Sequence, residues 1–142
     1  MKLVSIIMTC LNGEAYLKKA LESIFVQTYK NWELIFVDNN SSDNSKQIIF
    51  DIKDDRIKYF KLDSTVNLGT IRKFAFSKCS GDFITFLDVD DYWDEKKLDK
   101  QLAKFNNNEK VDVVYSNYIK FKSNKFEQVR KKLFSGNCQK QI

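Results

Sequence analysis

The sequence predicts an α/β fold with a mainly parallel central sheet flanked by helices. Short apolar strand patterns alternate along the chain with segments that carry apolar residues at helical spacing. Parallel neighbours need a crossover connection, so strands that alternate with helices favour a parallel sheet. The 142 residues, of which 43% are hydrophobic and 30% charged, suit one globular domain rather than a disordered chain.

The first two strand–helix units are predicted in the N-terminal third of the chain. Residues 3–8 are an apolar run rich in β-branched side chains, which suits a strand buried on both faces. From Glu14 onward, apolar residues recur at helical spacing, and the carboxylate lies near the positive end of that helix. Residues 32–37 repeat the strand pattern. The polar segment 38–43 follows, and its Ser and Asp residues are good N-caps for a second helix.

Three further strands are predicted along the rest of the chain. Residues 56–60 alternate as a more exposed strand would, and residues 67–70 form a loop that leads into a helix. Residues 82–87 have the clearest pattern of a buried strand. Asp94 can cap the next helix, and residues 111–115 are predicted as a fifth strand.

The positive charge is concentrated at the C-terminal end. The formal net charge is +5, but seven Lys or Arg residues against Glu127 alone give residues 117–142 a net charge of +6. Residues 1–116 therefore carry −1, and we expect no nucleic-acid partner. The basic segment is interpreted either as a solvated lysine-rich terminus or as a contact with phosphates or an anionic membrane leaflet.

Residues 118–121 suit one more strand, and no secondary structure is predicted after about residue 124.

Missing residue types exclude several kinds of site. Without histidine, the chain supplies neither a Ser-His-Asp or Cys-His catalytic unit nor a histidine zinc site. The three cysteines show no metal-ligand or redox spacing, so we expect no disulfide framework.

With no membrane-spanning window and no cleavable signal recognised, we expect a cytoplasmic protein.

Polar clusters follow three of the predicted strands. They occupy residues 9–12, 38–41 and 88–91, after the first, second and fourth strands. Ligands of an open α/β sheet bind beyond the carboxyl ends of its strands. We therefore expect the three clusters to meet at one ligand-binding rim.

Asp88, Asp90 and Asp91 predict a cation site at this rim. If strand geometry persisted, Asp88 and Asp90 would project from the same side. Their oxygens suit Mn²⁺ or Mg²⁺, and Mg²⁺ commonly shares its ligands between one or two carboxylates and substrate phosphates. A divalent cation would also relieve repulsion among the three carboxylates. The alternative is that Asp91 begins a turn and the other two are solvated.

Glycine-rich phosphate loops are missing. Neither G-x-G-x-x-G after the first strand nor G-x-x-x-x-G-K-[ST] anywhere occurs among four glycines, which argues against a dinucleotide dehydrogenase and a P-loop ATPase. In this fold a diphosphate is then bound by a metal and a basic residue. Arg72, just after Asn67-x-Gly69, suits that role, and the alternative is a surface arginine.

These motifs together resemble the family 2 glycosyltransferases, which have the Rossmann-like nucleotide-sugar fold called GT-A. The matching segments keep the family's order over about residues 3–116: VSIIMTCLNGEAYL at residues 4–17, the segment 21–38 with its Gln-Thr-Tyr, Asn67-x-Gly69, and FLDVDDYW at residues 86–93. The resemblance implies metal-dependent transfer of a sugar from a nucleoside diphosphate donor, a UDP-sugar, to an acceptor hydroxyl on a saccharide or lipid-linked acceptor. It also implies inversion, Mn²⁺ or Mg²⁺, and a place in surface polysaccharide synthesis at the inner face of the membrane.

The resemblance implies roles for individual residues. Donor contacts are implied for Thr9, Cys10, Asn12, Glu14, Asp38, Asn39, Gly69, Arg72, Asp88 and Val89. Asp90 is implied as the cation ligand, and Asp88 lies near the ribose or metal-bound water. The chain departs from the family in one segment and at one further position. Thr9-Cys10-Leu11 replaces Pro-Thr-Tyr and removes a ring that stacks on the base, and Asn39 stands at an acidic position but can still hydrogen-bond a base edge.

The chain divides, on this resemblance, into a nucleotide-sugar-binding core at 1–116 and the start of an incomplete acceptor half at 117–142. Family members use an acceptor-half aspartate as general base, whereas Glu127 is the only carboxylate side chain after Ser116 and matches no motif. We assign no catalytic base. Either the chain is the donor-binding part of a longer or truncated protein, or it is a module that binds nucleotide sugars without efficient transfer. Truncation would expose apolar surface, so self-association is a further expectation.

A phosphotransferase with Asp88 as nucleophile is disfavoured. That motif needs its first aspartate after the first core strand, whereas Asp88 follows the fourth. It also needs Thr or Val two residues past Asp90, where this chain has Tyr92.

Overall fold

Strands and helices alternate through the described part of the chain, as predicted. The computed structural model describes residues 1–106, 110–122 and 125–129. Its elements are β1 (Val4–Cys10), α1 (Glu14–Phe25), β2 (Trp32–Asp38), α2 (Ser45–Phe50), β3 (Ile57–Lys61), α3 (Leu68–Phe76), β4 (Phe83–Phe86), α4 (Lys97–Asn106), β5 (Tyr118–Lys122) and β6 (Lys125–Val129). The chain separates into two compact units, Met1–Lys100 and Gln101–Ile142.

The first unit is built on a parallel sheet with the strand order β3-β2-β1-β4. Val4 of β1 lies opposite Trp32 of β2, and Cys10 lies opposite Asp38, so the two strands end side by side. Both strands lie in the middle of the sheet, and every residue of β2 is buried. Continuous burial suits their unbroken apolar runs. The predicted parallel sheet is confirmed.

Strand β4 is half-buried, whereas the sequence predicted a buried strand at residues 82–87. β4 pairs with β1 and is the last strand of the four-stranded sheet in the described chain. Its side chains are half-buried, and Phe86 is 48% exposed. The prediction of burial was wrong because an apolar pattern reports hydrophobicity, whereas burial depends on the strand's place in the sheet. Strand β3, at the opposite end, is partly exposed, as predicted.

Helix α3 begins earlier than predicted. Asn67 Oδ1 accepts a hydrogen bond from Thr70 N at 2.9 Å, which caps the helix N-terminus. Residues 68–70, predicted as part of a loop, therefore form its first turn, and Gly69 is helical.

The starts of α2 and α4 are stabilised by aspartates. Asp43 Oδ1 accepts from Ser45 N at 3.0 Å, although the formal N-cap residue, Asn44, makes no side-chain capping bond. Asp94 Oδ1 accepts from Lys96 N at 3.1 Å just before α4. The aspartates thus lie where the sequence predicted helix starts.

In the second unit, β5 and β6 form an antiparallel pair in which Tyr118 lies opposite Val129. Strand β5 covers the strand predicted at residues 118–121. Residues 111–117 form neither helix nor strand, so the fifth strand predicted at 111–115 was wrong. Val113 is 71% exposed, which shows that the apolar pattern there does not reflect burial in a sheet.

Several sequence predictions concern residues outside the described ranges. Cys10 and Cys79 are free thiols, and Cys138 lies outside the described residues, as does the basic segment after residue 129. The functional boundary between residues 116 and 117 stays a prediction. Among the helices that the structure describes, none combines the length and the hydropathy of a membrane span.

Candidate functional site

A groove opens beyond the carboxyl ends of β1, β2 and β4. Its volume is about 390 Å³. The groove is lined by Thr9, Cys10, Leu11, Asn39, Val66, Leu68, Ile71, Asp88, Val89 and Asp90. The predicted site residues among them come from all three strand ends, so the three polar clusters do meet at one rim.

Asn12 joins the loop after β1 to the loop after β2. Its backbone has a positive φ of 54°, which asparagine tolerates better than most residues. Its backbone N donates to Ser41 Oγ at 3.0 Å, and its Oδ1 accepts from Ser42 N at 2.9 Å. The side chain of Asn12, a predicted donor contact, therefore lies outside the groove lining and holds two loops together.

Glu14 makes a second connection between these loops. Its Oε2 accepts from both the backbone N and Nδ2 of Asn44 at 2.8 Å. Its backbone N donates to Asp43 Oδ2 at 2.9 Å. The Glu14 carboxylate, also a predicted donor contact, is thus hydrogen-bonded to the start of α2 and is not among the lining residues.

Cys10 and Gly13 pack closely beneath the groove. The Cys10 thiol, 2% exposed, lies 3.5 Å from Ser45 Oγ, and Gly13 N donates to that same hydroxyl oxygen at 3.0 Å. Burial raises the pKa of the Cys10 thiol, so it stays protonated and unreactive. A Cβ on Gly13 would lie 2.7 Å from both Cys10 Sγ and Val89 Cγ2, so alanine there would force one of these side chains to shift.

Asp38 is buried at the end of β2 rather than in the groove. Its Oδ1 accepts from Ser41 N at 2.7 Å and its Oδ2 from the Tyr59 hydroxyl at 2.7 Å. Burial, together with the Asp38 carboxylate, raises the pKa of Tyr59 and keeps this donor protonated. One carboxylate oxygen therefore holds the loop after β2, and the other bonds strand β3.

Asn39 lines the groove, but its amide faces the loop between β3 and α3. Nδ2 donates to the Val66 carbonyl at 2.9 Å, and Oδ1 accepts from Val66 N at 2.9 Å. The side chain thus bonds to both main-chain groups of one residue. This arrangement could not be read from the sequence, where Asn39 was considered for its ability to contact a base.

The acidic segment after β4 forms a turn. Asp91 N donates to the Asp88 carbonyl at 3.0 Å, so the strand geometry assumed for Asp88 and Asp90 does not persist. Both side chains nevertheless line the groove. Burial raises the pKa of Asp91, and so do the negative charges of Asp90 and Asp88. The Asp91 carboxyl therefore lies close enough to Asp88 and Asp90 to be affected by both of their charges.

Arg72 of α3 faces the acidic turn. Its Nη2 donates to Asp88 Oδ1 at 2.8 Å, and its guanidinium carbon lies 5.4 Å from the centre of the Phe86 ring. Gly69, one turn earlier, has room for a Cβ, whose nearest neighbour would be Asn67 Oδ1 at 3.4 Å. The structure therefore places Arg72 at the rim. It shows no steric reason for a glycine at position 69.

The rim suits a cation that is shared with a ligand. No cluster of three or more His, Cys, Asp or Glu side chains that could hold a metal occurs within the described residues. Asp88 and Asp90 supply carboxylates to the same groove, and Mg²⁺ commonly takes one or two carboxylates and completes its shell with phosphate oxygens and water. The residues present fit Mn²⁺ or Mg²⁺ on these terms.

Sequence reasoning missed the apolar wall and the loop contacts of the site. Leu11, Val66, Leu68 and Ile71 give the groove apolar surface, and three of them come from α3 and the loop before it. The hydroxyls of Ser41 and Ser45 hold the loops, and the sequence predicted no separate role for either of them. The run of Asn, Ser and Asp after β2 signalled a tight loop, but nothing local signalled which partners it binds.

The sequence profile of the family described as glycosyl transferase family 2 matches residues 5–141. The chain belongs to glycosyl transferase family 2. This family 2 chain is 38% identical over 116 residues to UDP-Glc:alpha-D-GlcNAc-diphosphoundecaprenol beta-1,3-glucosyltransferase WfgD of Escherichia coli, an alignment that covers 82% of this chain and 46% of WfgD. It is 41% identical over 118 residues to the E. coli enzyme WfaP, which has the same descriptive name, with 83% and 47% covered. The chain thus spans less than half the length of these relatives.

Solved structures agree with the family assignment. The family 2 chain superposes on Staphylococcus aureus TarS 1-349 with a TM-score of 0.71 and 28% identity, covering 75% of this chain and 33% of that one. TarS has also been solved in complex with UDP-GlcNAc. The mannosyltransferase PcManGT from Pyrobaculum calidifontis, solved with GDP-Man and Mn²⁺, gives a TM-score of 0.67 at 17% identity, with 72% of this chain and 32% of that one covered. The predicted GT-A fold is confirmed.

Proposed function

We propose that this chain is the donor-binding domain of a metal-dependent family 2 glycosyltransferase. The enzyme would transfer a sugar from a nucleoside diphosphate donor, a UDP-sugar, to an acceptor hydroxyl with inversion, in the synthesis of a surface polysaccharide. The names of WfgD and WfaP support a UDP-sugar donor and a lipid-diphosphate-linked saccharide acceptor. The complex of TarS with UDP-GlcNAc supports the same class of donor.

The observation that carries this proposal is the groove, because its lining combines carboxylates with apolar side chains. Asp88 and Asp90 line the groove, and Arg72 bonds Asp88, so a diphosphate would bind here together with a cation. Leu11 and Val66 belong to the apolar surface, which suits the flat face of a nucleobase. A nucleoside diphosphate has this combination of an apolar ring and a strongly anionic group.

Asp90, with Asp88, would hold the Mn²⁺ or Mg²⁺ ion. When bound, such an ion neutralises the negative charge that builds on the phosphate oxygens as the nucleoside diphosphate leaves. Arg72 adds a fixed positive charge near the same oxygens, and Asp88 orients its guanidinium. These residues bind and orient the diphosphate; we assign no catalytic base to the chain. In this proposal the acceptor's proton passes to a group of an acceptor-binding half.

Isothermal titration calorimetry with UDP, with and without Mn²⁺, tests the donor site. We expect binding that depends on Mn²⁺ and loses that dependence in Asp90→Asn. Asp55→Asn is the matched control, because Asp55 is exposed and lies before β3, at the opposite ends of the strands. A UDP affinity that changes neither with Mn²⁺ nor in Asp90→Asn would contradict the metal assignment. Absence of UDP binding would contradict the donor site.

A second experiment distinguishes an enzyme from a binding module. The alternative is a non-catalytic module that binds nucleotide sugars, because we assign no catalytic base to the described residues. We expect slow hydrolysis of a UDP-sugar, or transfer of its sugar once an acceptor half is present. Tight UDP binding with neither reaction would favour the binding module.

A further inference from the structure

We propose that Asn39 is a positioning residue that fixes the loop between β3 and α3 as a wall of the groove, and that its side chain does not read the nucleobase. The positioning role is argued from contacts within the chain. The statement about the nucleobase rests on the proposed donor site. The two are therefore tested by separate measurements.

The first argument is the match between the Asn39 amide and the Val66 main chain. The amide donor faces the Val66 carbonyl and the amide acceptor faces the Val66 N–H, both at 2.9 Å. Turning the amide over would place oxygen against oxygen and N–H against N–H. Its orientation is therefore determined by the loop, and the amide cannot turn to match different base edges.

The second argument is that Asn39 connects three parts of the groove. Its backbone N donates to the Cys10 carbonyl at 2.7 Å, which ties it to the end of β1. Its carbonyl accepts from Thr65 Oγ1 at 3.3 Å, in the same loop as Val66. Asn39 is 7% exposed, so little of its surface is left for a ligand.

The third argument is what the loop carries. Val66 lines the groove, and Asn67 directly after it caps α3, the helix that bears Arg72. Holding Val66 therefore sets both the apolar wall and the start of the helix that faces the acidic turn. Asn39 acts on a bound nucleotide through Val66 and α3, which is why we class it as a positioning residue.

The positioning role is tested without nucleotide by amide hydrogen exchange measured by NMR. In Asn39→Ala, we expect the protection of the Val66 amide to fall at least about tenfold, because its acceptor is removed. Protection of the Ile6 amide in β1 should stay unchanged. Asn31→Ala is the matched control, since Asn31 bonds the Met1 carbonyl at the opposite ends of the strands. Unchanged Val66 protection in Asn39→Ala would overturn the proposal.

The nucleobase statement is tested by the affinities for UDP and CDP in the presence of Mn²⁺. Uracil presents an N–H donor where cytosine presents an acceptor, so a residue that reads this edge would discriminate between them. Asn39→Asp keeps the acceptor for Val66 N–H and places a carboxylate oxygen against the Val66 carbonyl. We expect Asn39→Ala and Asn39→Asp each to weaken the binding of UDP and the binding of CDP by the same factor, about tenfold.

Each other outcome decides a different point. A change of about fivefold or more in the ratio of UDP to CDP affinity in Asn39→Ala, which removes the amide and adds no new polar group, would show that Asn39 reads the base. Unchanged affinities despite lost Val66 protection would show that Asn39 only stabilises the fold. Absence of nucleotide binding in the unsubstituted chain would refute the proposed function. The hydrogen-exchange measurement would still test the positioning role in that case. If Asn39→Ala does not fold, Asn39→Asp serves for both measurements, with a smaller loss of Val66 protection expected.

Discussion

Arg72 Nη2 donates a hydrogen bond to Asp88 Oδ1 at 2.8 Å and so joins helix α3 to the acidic turn after β4. The two side chains are 37% and 54% exposed, so water and salt screen the pair and its contribution to stability is small. Its importance lies in charge placement, because a guanidinium is held beside the Asp88 carboxylate, which lines the groove.

Removing Arg72 should therefore affect ligand binding more than folding. We expect Arg72→Ala to weaken UDP binding in Mn²⁺ about tenfold or more, because charge-assisted bonds to phosphate are among the stronger ones. Arg72→Lys should be intermediate, since lysine keeps the charge and loses the planar fork. Calorimetric titration measures both. Lys73→Ala, an exposed change on the same helix, should bind UDP as the unsubstituted chain does, and an equal loss in Lys73→Ala would mean that only overall charge matters.

An added Cβ would be crowded at position 13 and not at position 69. In Gly13→Ala, the new Cβ would lie 2.7 Å from Cys10 Sγ and Val89 Cγ2, so we expect a loss of about 1–3 kcal/mol in the free energy of unfolding. In Gly69→Ala, the Cβ has ordinary space within α3, and we expect a gain of about 0.5–1 kcal/mol. Urea denaturation measures both. Equal effects of the two substitutions would contradict the packing described beneath the groove.

Gln27 fixes the segment between the acidic turn and α4. Its buried side chain donates to the Asp94 carbonyl at 2.7 Å and accepts from Leu98 N at 3.1 Å. Gln27→Ala would leave these groups without partners, so we expect a loss of about 2–4 kcal/mol in the free energy of unfolding. Gln47→Ala is the control, because the Gln47 side chain is exposed and bonds only Asp51 among the contacts described. A loss below about 1 kcal/mol in Gln27→Ala would show that water replaces its bonds.

Glu33 should make the stability depend on acid pH. Burial raises the pKa of this carboxyl, but hydrogen bonds from Lys58, Ser5 and Ser80 outweigh burial and lower it to about 2, from 4.5. Because the folded-state pKa lies below the unfolded one, this stabilisation is present above pH 4.5 and is lost as the pH falls toward 2. We expect Glu33→Gln to lower the free energy of unfolding at neutral pH and to flatten its fall in this window.

Urea denaturation at a series of pH values measures this effect. Glu22→Gln is the matched control, because Glu22 is an exposed carboxylate of α1. It should leave the pH dependence unchanged. A pH dependence in Glu33→Gln that equals that of the unsubstituted chain would show that other carboxylates cause the acid sensitivity.

The sequence by itself determined the order of strands and helices through residue 106, the parallel arrangement of the sheet and the convergence of three polar clusters. Those features follow from local periodicity and from the rule that parallel strands end at one edge. The resemblance to family 2 also came from the sequence alone, since it depends on motifs and their order.

Only the tertiary structure decided what most of the polar residues at the rim do. Glu14 bonds Asn44, Asp38 bonds Tyr59 and Asn39 bonds Val66, and each pair is separated by more than 20 residues in the sequence. Polar residues at strand ends look alike in a sequence whether they face a ligand or a neighbouring loop. Their roles depend on which donors and acceptors folding brings within hydrogen-bond distance, and that pairing is a property of distant segments. The same reason explains why the apolar strand patterns at 82–87 and 111–115 did not reveal their burial or their pairing.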